Sequence, residues 1–378
     1  MKCSKLFPLL RIFFFGTILF QLFPASAQDA DTKYGYIEPS FRWGYHVPFE
    51  LYSDYPVCCA DLRCGIQTTG EKPWECFFNY PKVGINVRYE HNTMKNHLHP
   101  EAGLMDLGDA LSVFGYCNGH IVKRKRFQFD YTWGIGLSYW TKHGNPLIGS
   151  AFTVHLTADC GPVFRLSESW DVFARASFSH ASNGAVILPN KGVNILCGQM
   201  GCRYHLNGRA PEIISSVDSA FQKRNTIYVF EAPGFRESNT IFDRYCFGNT
   251  FEVGYTRTFH PCFRYGGGID LLFTGENKIM YEHHGEPDSY TLKNSFSTAT
   301  VATFDIVYGR FILHIAGAYY IIQPTKYVPK HYLKHYERLG FRYMLGKNEN
   351  FFVGTSMKIH ANKIDYIEWT MGAHLFSW

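Results

Sequence analysis

The chain has 378 residues, 17% of them aromatic, 46% hydrophobic and only 18% charged, with a formal net charge of +5. The charged fraction lies below the roughly 25% of soluble domains. The apolar content excludes a disordered chain, and so small a net charge makes no case for nucleic acid. Past the N-terminus no apolar run approaches the ~18 residues of a membrane helix. With 33 Phe, 25 Tyr and 34 Gly, the composition points instead to alternating strands with one face in lipid.

Residues 1–27 read as a cleaved secretory signal. Lys2, Lys5 and Arg11 precede an apolar stretch from Ile12 to Phe23, and Ala25-Ser26-Ala27 supplies small residues at the cleavage positions. The mature chain then begins at Gln28 and is bound for the bacterial outer membrane. Strands are expected near 33–47, 58–69, 83–92, 108–122, 127–140, 150–166, 170–182 and 192–206. A second set is expected near 224–238, 244–260, 263–276, 294–309, 311–323, 337–346, 350–363 and 364–378. The clearest is 127–140, where Phe127, Phe129, Tyr131, Trp133, Ile135, Leu137 and Tyr139 share one parity. Gln128, Asp130, Thr132, Gly134, Gly136 and Ser138 share the other, a period of two. Alternation alone fits a soluble sandwich too; the aromatic excess and the leader favour a membrane barrel. The chain ends in a strand closing on Trp378.

The expected fold is all-β: a transmembrane antiparallel β-barrel of about 16 strands, with 12–14 strands or two 8-stranded halves as alternatives. The expected organisation is a signal peptide (1–27), an N-terminal half (28–206), a connecting segment (207–223) and a C-terminal half (224–378). Connections 123–126, 167–169 and 347–350 are short and read as periplasmic turns. Those at 93–107, 277–293 and 324–336 are long and read as external. Ten cysteines remain beyond the leader, and Cys58, Cys59, Cys64 and Cys76 lie close enough in sequence for one disulfide. No CxxC pair with matching Cys or His spacing suggests zinc. His97, His99, His283 and His284 read as solvated loop histidines. No metal or other cofactor is expected.

The segment Phe178-Ser179-His180-Ala181-Ser182-Asn183-Gly184 departs from the pattern. His180 and Ser182 share the parity of Trp170, Val172, Ala174, Ala176 and Phe178, the apolar face. On the next strand Asn194 shares parity with Leu196, Met200 and Tyr204. A His, a Ser and an Asn therefore converge on the barrel exterior, where polar groups are costly. The chemistry these groups support is acyl transfer, with imidazole taking the serine proton. Backbone N–H groups near Asn183 and Gly184, or the Asn190 amide, are candidates to hold the oxyanion. The competing reading is a strand end whose His and Ser meet lipid headgroups, because HxS is a weak pattern.

His180-Ala181-Ser182-Asn183-Gly184, followed by Asn190-Lys191-Gly192-Val193-Asn194, resembles the motif of the lipid A 3-O-deacylase (PagL) and acyloxyacyl hydrolase family. Those outer-membrane barrel esterases carry His-x-Ser-Asn-Ala and then Asn-x-Gly-x-Glu. The resemblance implies hydrolysis of a fatty acyl ester of lipid A in the outer leaflet, so lipopolysaccharide is the implied partner. His180 would be the base and Ser182 the nucleophile, with Asn183 and Asn190 matching the motif's asparagines. Gly184 replaces an Ala, and Asn194 stands where the family has Glu. Asparagine can hold the imidazole tautomer but cannot offset its charge, and in a serine triad an Asp-to-Asn change costs about 10⁴ in turnover. The alternative is a non-catalytic outer-membrane barrel, a channel or scaffold that retains part of the motif.

The second half echoes the first: Phe352 to His360 resembles Val172 to His180, Asn362 falls at the place of Ser182, and Glu368 near that of Asn194. With no nucleophile at Asn362, and with His360 sharing parity with Ser356 and Lys358, a second active site is not expected there.

Overall fold

The computed structural model describes residues 34–47, 56–92, 107–209, 221, 223–238, 244–324, 326–327, 334–360 and 363–378. The leader, most of the 207–223 link, and His97 and His99 lie outside the described residues. So does Asn362. The first eight strands are β1 (Tyr34–His46), β2 (Val57–Gln67), β3 (Lys82–His91), β4 (Asp109–Lys123), β5 (Phe127–Trp140), β6 (Phe152–Arg165), β7 (Trp170–Ser182) and β8 (Val193–His205). The second eight are β9 (Arg224–Glu237), β10 (Tyr245–His260), β11 (Phe263–Thr274), β12 (Phe296–Tyr308), β13 (Phe311–Ile322), β14 (His335–Leu345), β15 (Phe351–His360) and β16 (Lys363–Ser377). These are the sixteen strands expected, and no helix among the described residues is long and apolar enough to cross a membrane.

The sixteen strands form two closed antiparallel barrels of eight, so the two-halves alternative is the one realised. In the first, β1 pairs β8 from Tyr36↔His205 to His46↔Ile195. In the second, β16 pairs β9 from Glu368↔Gly234 to Ser377↔Thr226, and Trp378 exchanges both backbone hydrogen bonds with Asn225. Closure leaves neither sheet an edge, which lipid would not tolerate.

The alternation resolves as expected. Phe41, Trp43, Ile85, Leu137, Leu196 and Met200 face outward on the first barrel, and Phe235, Phe247, Ile269, Trp369 and Met371 on the second. The inner faces are polar, and an eight-stranded barrel is just wide enough for its side chains to fill. In the first lumen Glu38 accepts from Arg175 at 2.6 Å and from Arg203 at 2.7 Å. Arg42, Arg63 and Arg88 converge on Asp61 and Asp159. In the second, Arg338 donates to Glu368, Glu252 and Asp270 at 2.8, 2.9 and 2.8 Å. Glu368 also accepts from Thr250 and Ser356. It therefore belongs to the lumen network and has no place like that of Asn194.

The cysteine expectation is corrected. All ten described cysteines are free, including Cys58, Cys59, Cys64 and Cys76. Cys58 and Cys59 alternate across the β2 wall, the first half-buried and the second fully buried. Cys76 sits apart on a short helix, Pro73–Phe77. Proximity in sequence is cancelled by the strand's two-sidedness. The 277–293 connection is also more ordered than a plain loop: it opens with a helix, Glu276–His283. His284 Nδ1–H donates to the Met280 carbonyl at 2.8 Å, and its ring stacks on Tyr327.

Arg338→Ala would leave three buried carboxylates without their shared cation, a loss expected to cost about 3–5 kcal/mol. The urea midpoint of the detergent-solubilised protein should fall accordingly. Arg338→Lys should recover only part of it, because an ammonium cannot reproduce the planar fork. An unchanged midpoint in Arg338→Ala would show that the lumen network does not hold the second barrel.

Candidate active site

The site is built at one end of the first barrel, where β7 ends, β8 begins and the β5–β6 connection lies. Directly paired residues on antiparallel strands present their side chains on the same face, and the β7–β8 register pairs His180 with Asn194. The two side chains meet: His180 Nδ1 lies 2.7 Å from Asn194 Oδ1. An amide oxygen can only accept, so Nδ1 carries a proton, and the neutral ring would present its lone pair at Nε2, the form a general base requires. Both residues are half-buried and lie on the outward parity, beside the exposed pair Phe178 and Leu196.

Ser182 has the same parity, but it does not face lipid. It is only 8% exposed. Gly192 lies beside it with φ +79°, a left-handed conformation that glycine adopts without steric cost. A methyl group built there would lie 2.8 Å from His180 Cε1 and 3.4 Å from Ser182 Cβ. Both side chains thus pack within 3.4 Å of one point.

The 183–192 connection carries the other expected residues. Asn183 and Gly184 are buried, and Asn190 is half-buried. The Asn183 N–H donates to Asn190 Oδ1 at 3.4 Å, and Asn183 Nδ2 donates to the Ile187 carbonyl at 2.9 Å. Gly184 has φ +64°, where the Ala of the resembled motif would be strained. The two asparagines therefore act first on each other, closing a turn immediately after Ser182.

Sequence reasoning missed Gly192 as a packing position and the whole of the 141–151 connection. The Asn145-Pro146 dipeptide was the available signal, since it favours a turn. His360, by contrast, is buried in the second lumen, with Nε2 3.0 Å from Tyr320 Oη and Nδ1 3.4 Å from Asp365. Among the described residues no cluster of three or more His, Cys, Asp or Glu is arranged to hold a metal.

Residues 60–203 match the family described as lipid A 3-O-deacylase (PagL), and residues 225–378 match the acyloxyacyl hydrolase C-terminal domain. No curated protein matches the chain. Among solved structures it is similar to CdiB from Acinetobacter baumannii, at 7% identity and a TM-score of 0.19 over 93% of this chain and 61% of that one. It thus spans about three-fifths of CdiB's length. It is also similar to the toluene transporter TodX from Pseudomonas putida, at 9% identity and a TM-score of 0.17 over 95% and 92% of the two chains. A third is the outer membrane protein Omp33 of A. baumannii, at 7% identity and a TM-score of 0.16 over 90% and 97%. Likeness at this level bears on neither activity nor ligand.

Proposed function

We propose that this chain, which belongs to the lipid A 3-O-deacylase (PagL) and acyloxyacyl hydrolase family, is a serine-type ester hydrolase of the bacterial outer membrane that removes a fatty acyl chain from lipid A. The observation that carries the reading is the 2.7 Å bond from His180 Nδ1–H to Asn194 Oδ1, with Ser182 two residues further along the same face. His180 Nε2 takes the proton as Ser182 Oγ attacks the acyl carbonyl. The Asn183 N–H is turned to Asn190 Oδ1, so the oxyanion is stabilised by the Gly184 backbone N–H or by the Asn190 amide nitrogen. Collapse expels the lipid A alkoxide, which takes the proton back from His180 and leaves an acyl-serine. Water, deprotonated in turn by His180, then releases the fatty acid. Reaction at the barrel wall suits a substrate whose acyl chains already lie there.

Asn194 performs half of the expected work. Its oxygen fixes the tautomer and orients the ring, but it adds no negative charge to offset the imidazolium formed as Ser182 attacks.

Outer-membrane fractions should release fatty acid from lipopolysaccharide. Ser182→Ala and His180→Ala should each abolish that release while the barrel still folds. His360→Ala should leave it nearly intact, because His360 bonds within the other lumen. Equal losses at His180 and His360 would refute the assignment, and an outer membrane without the protein would refute the localisation.

Asn194→Ala should lower the rate without unfolding the protein. Asn194→Glu should raise it by about a hundredfold if the carboxylate reaches Nδ1, equivalent to roughly 2.7 kcal/mol of barrier. Titrating fatty-acid release from the two variants measures both effects. No change in either, in a protein that requires Ser182, would show that another group orients His180.

A further inference from the structure

We propose that the β5–β6 connection is a clamp that seats the His180 ring, with Asn145 and Gly192 as positioning residues; the inference rests on the hydrolase reading above. One hydrogen bond, from Nδ1 to Asn194, leaves an imidazole free to swing about that bond. The contact at Gly192 removes this freedom, because His180 Cε1 packs against a bare Cα, where a Cβ would approach to 2.8 Å. The ring is thus held at two adjacent atoms, and Nε2, on the far side of Cε1, is fixed in direction.

Gly192 is itself held from the β5–β6 connection. Its N–H donates to the Leu147 carbonyl at 2.9 Å, and the Lys191 N–H donates to the Pro146 carbonyl at 3.0 Å. Those carbonyls are presented by a turn that Asn145 closes. Asn145 Oδ1 accepts the N–H of Leu147 at 3.0 Å and of Ile148 at 2.9 Å. The Gly144 and Asn145 N–H groups donate to the Ile148 carbonyl at 2.8 and 3.2 Å. Leu147 and Ile148 then bury their side chains in an apolar cluster with Trp140, Ala181, Val193 and Ile195. That cluster includes the residue between His180 and Ser182 and the residues on either side of Asn194. A contiguous chain therefore runs from Asn145 through two carbonyls to Gly192 and the ring.

Every link is backbone or an at least half-buried side chain, which is what holds a reacting group to the fraction of an ångström that catalysis requires. Asn145 touches neither the ring nor Ser182 in any of these bonds. Its effect is expected in the orientation of His180 and hence in turnover, with little effect on how lipid binds.

The test uses the full-length protein in detergent, with lipopolysaccharide as substrate and heteronuclear NMR of the imidazole nitrogens, assigned by difference with His180→Ala. Wild type should show one His180 tautomer, protonated at Nδ1. Asn145→Ala should lower kcat by about ten- to a hundredfold, leave KM within about twofold, and average the His180 nitrogen signals. Asn145→Asp keeps the acceptor and should restore both readouts. Gly192→Ala leaves the Asn145 turn in place and should lower kcat by displacing the ring, which covers the case in which Asn145→Ala does not fold. Unchanged kcat and unchanged ring signals in Asn145→Ala and Gly192→Ala, beside an inactive Ser182→Ala, would overturn the clamp and leave the hydrolase intact. A wild type that releases no fatty acid, yet whose His180 signals average in Asn145→Ala, would support the clamp and reject the hydrolase.

Discussion

A strand in lipid must pair every backbone N–H and C=O with another strand, and this constraint governs the rest of the molecule. Each set of eight strands meets it by joining its last strand to its first: β8 to β1, and β16 to β9. Closure at eight strands leaves a lumen only as wide as the side chains that fill it. The charged residues of these strands then have one low-cost place to go, the interior, where they must neutralise one another. The carboxylate–guanidinium networks around Glu38 and Arg338 follow from this.

The same economy makes the outer face of the first barrel informative. Where lipid-facing positions should be apolar, β7 and β8 place a histidine and an asparagine in direct register, joined by a 2.7 Å bond. The serine two residues on has the same parity but is buried. In the proposed hydrolase, His180 and Ser182 would serve as base and nucleophile on the barrel wall. In that proposal Asn194 orients the ring through its 2.7 Å bond but carries no charge, so it would stabilise an imidazolium less than a carboxylate there.

Strand positions were legible because period-two alternation is a local property. Phe127 to Tyr139 on one face and Asp130, Thr132 and Ser138 on the other suffice to place β5. The parity that set His180 beside Asn194 was legible for the same reason. The closure into two barrels was not: whether β8 pairs β1 or β9 is decided by contacts more than a hundred residues apart, and either choice satisfies the same alternation. The burial of Ser182 was hidden because parity alone places it on the outer face, and the 183–192 segment that follows has no periodicity to read. A disulfide among the early cysteines looked plausible from spacing alone, and failed because Cys58 and Cys59 point to opposite sides of the wall, Cys64 lies further along the same strand and Cys76 sits on a separate helix.

Covalent trapping tests the central claim most directly. A long-chain alkyl fluorophosphonate reacts only with a serine whose oxygen is activated by a nearby base, and mass spectrometry of the peptide from Ala176 to Lys191 locates the adduct. Stoichiometric phosphonylation of Ser182 is expected in the wild-type protein and none in folded His180→Ala. Absence of an adduct on Ser182, or equal labelling with and without His180, would contradict it.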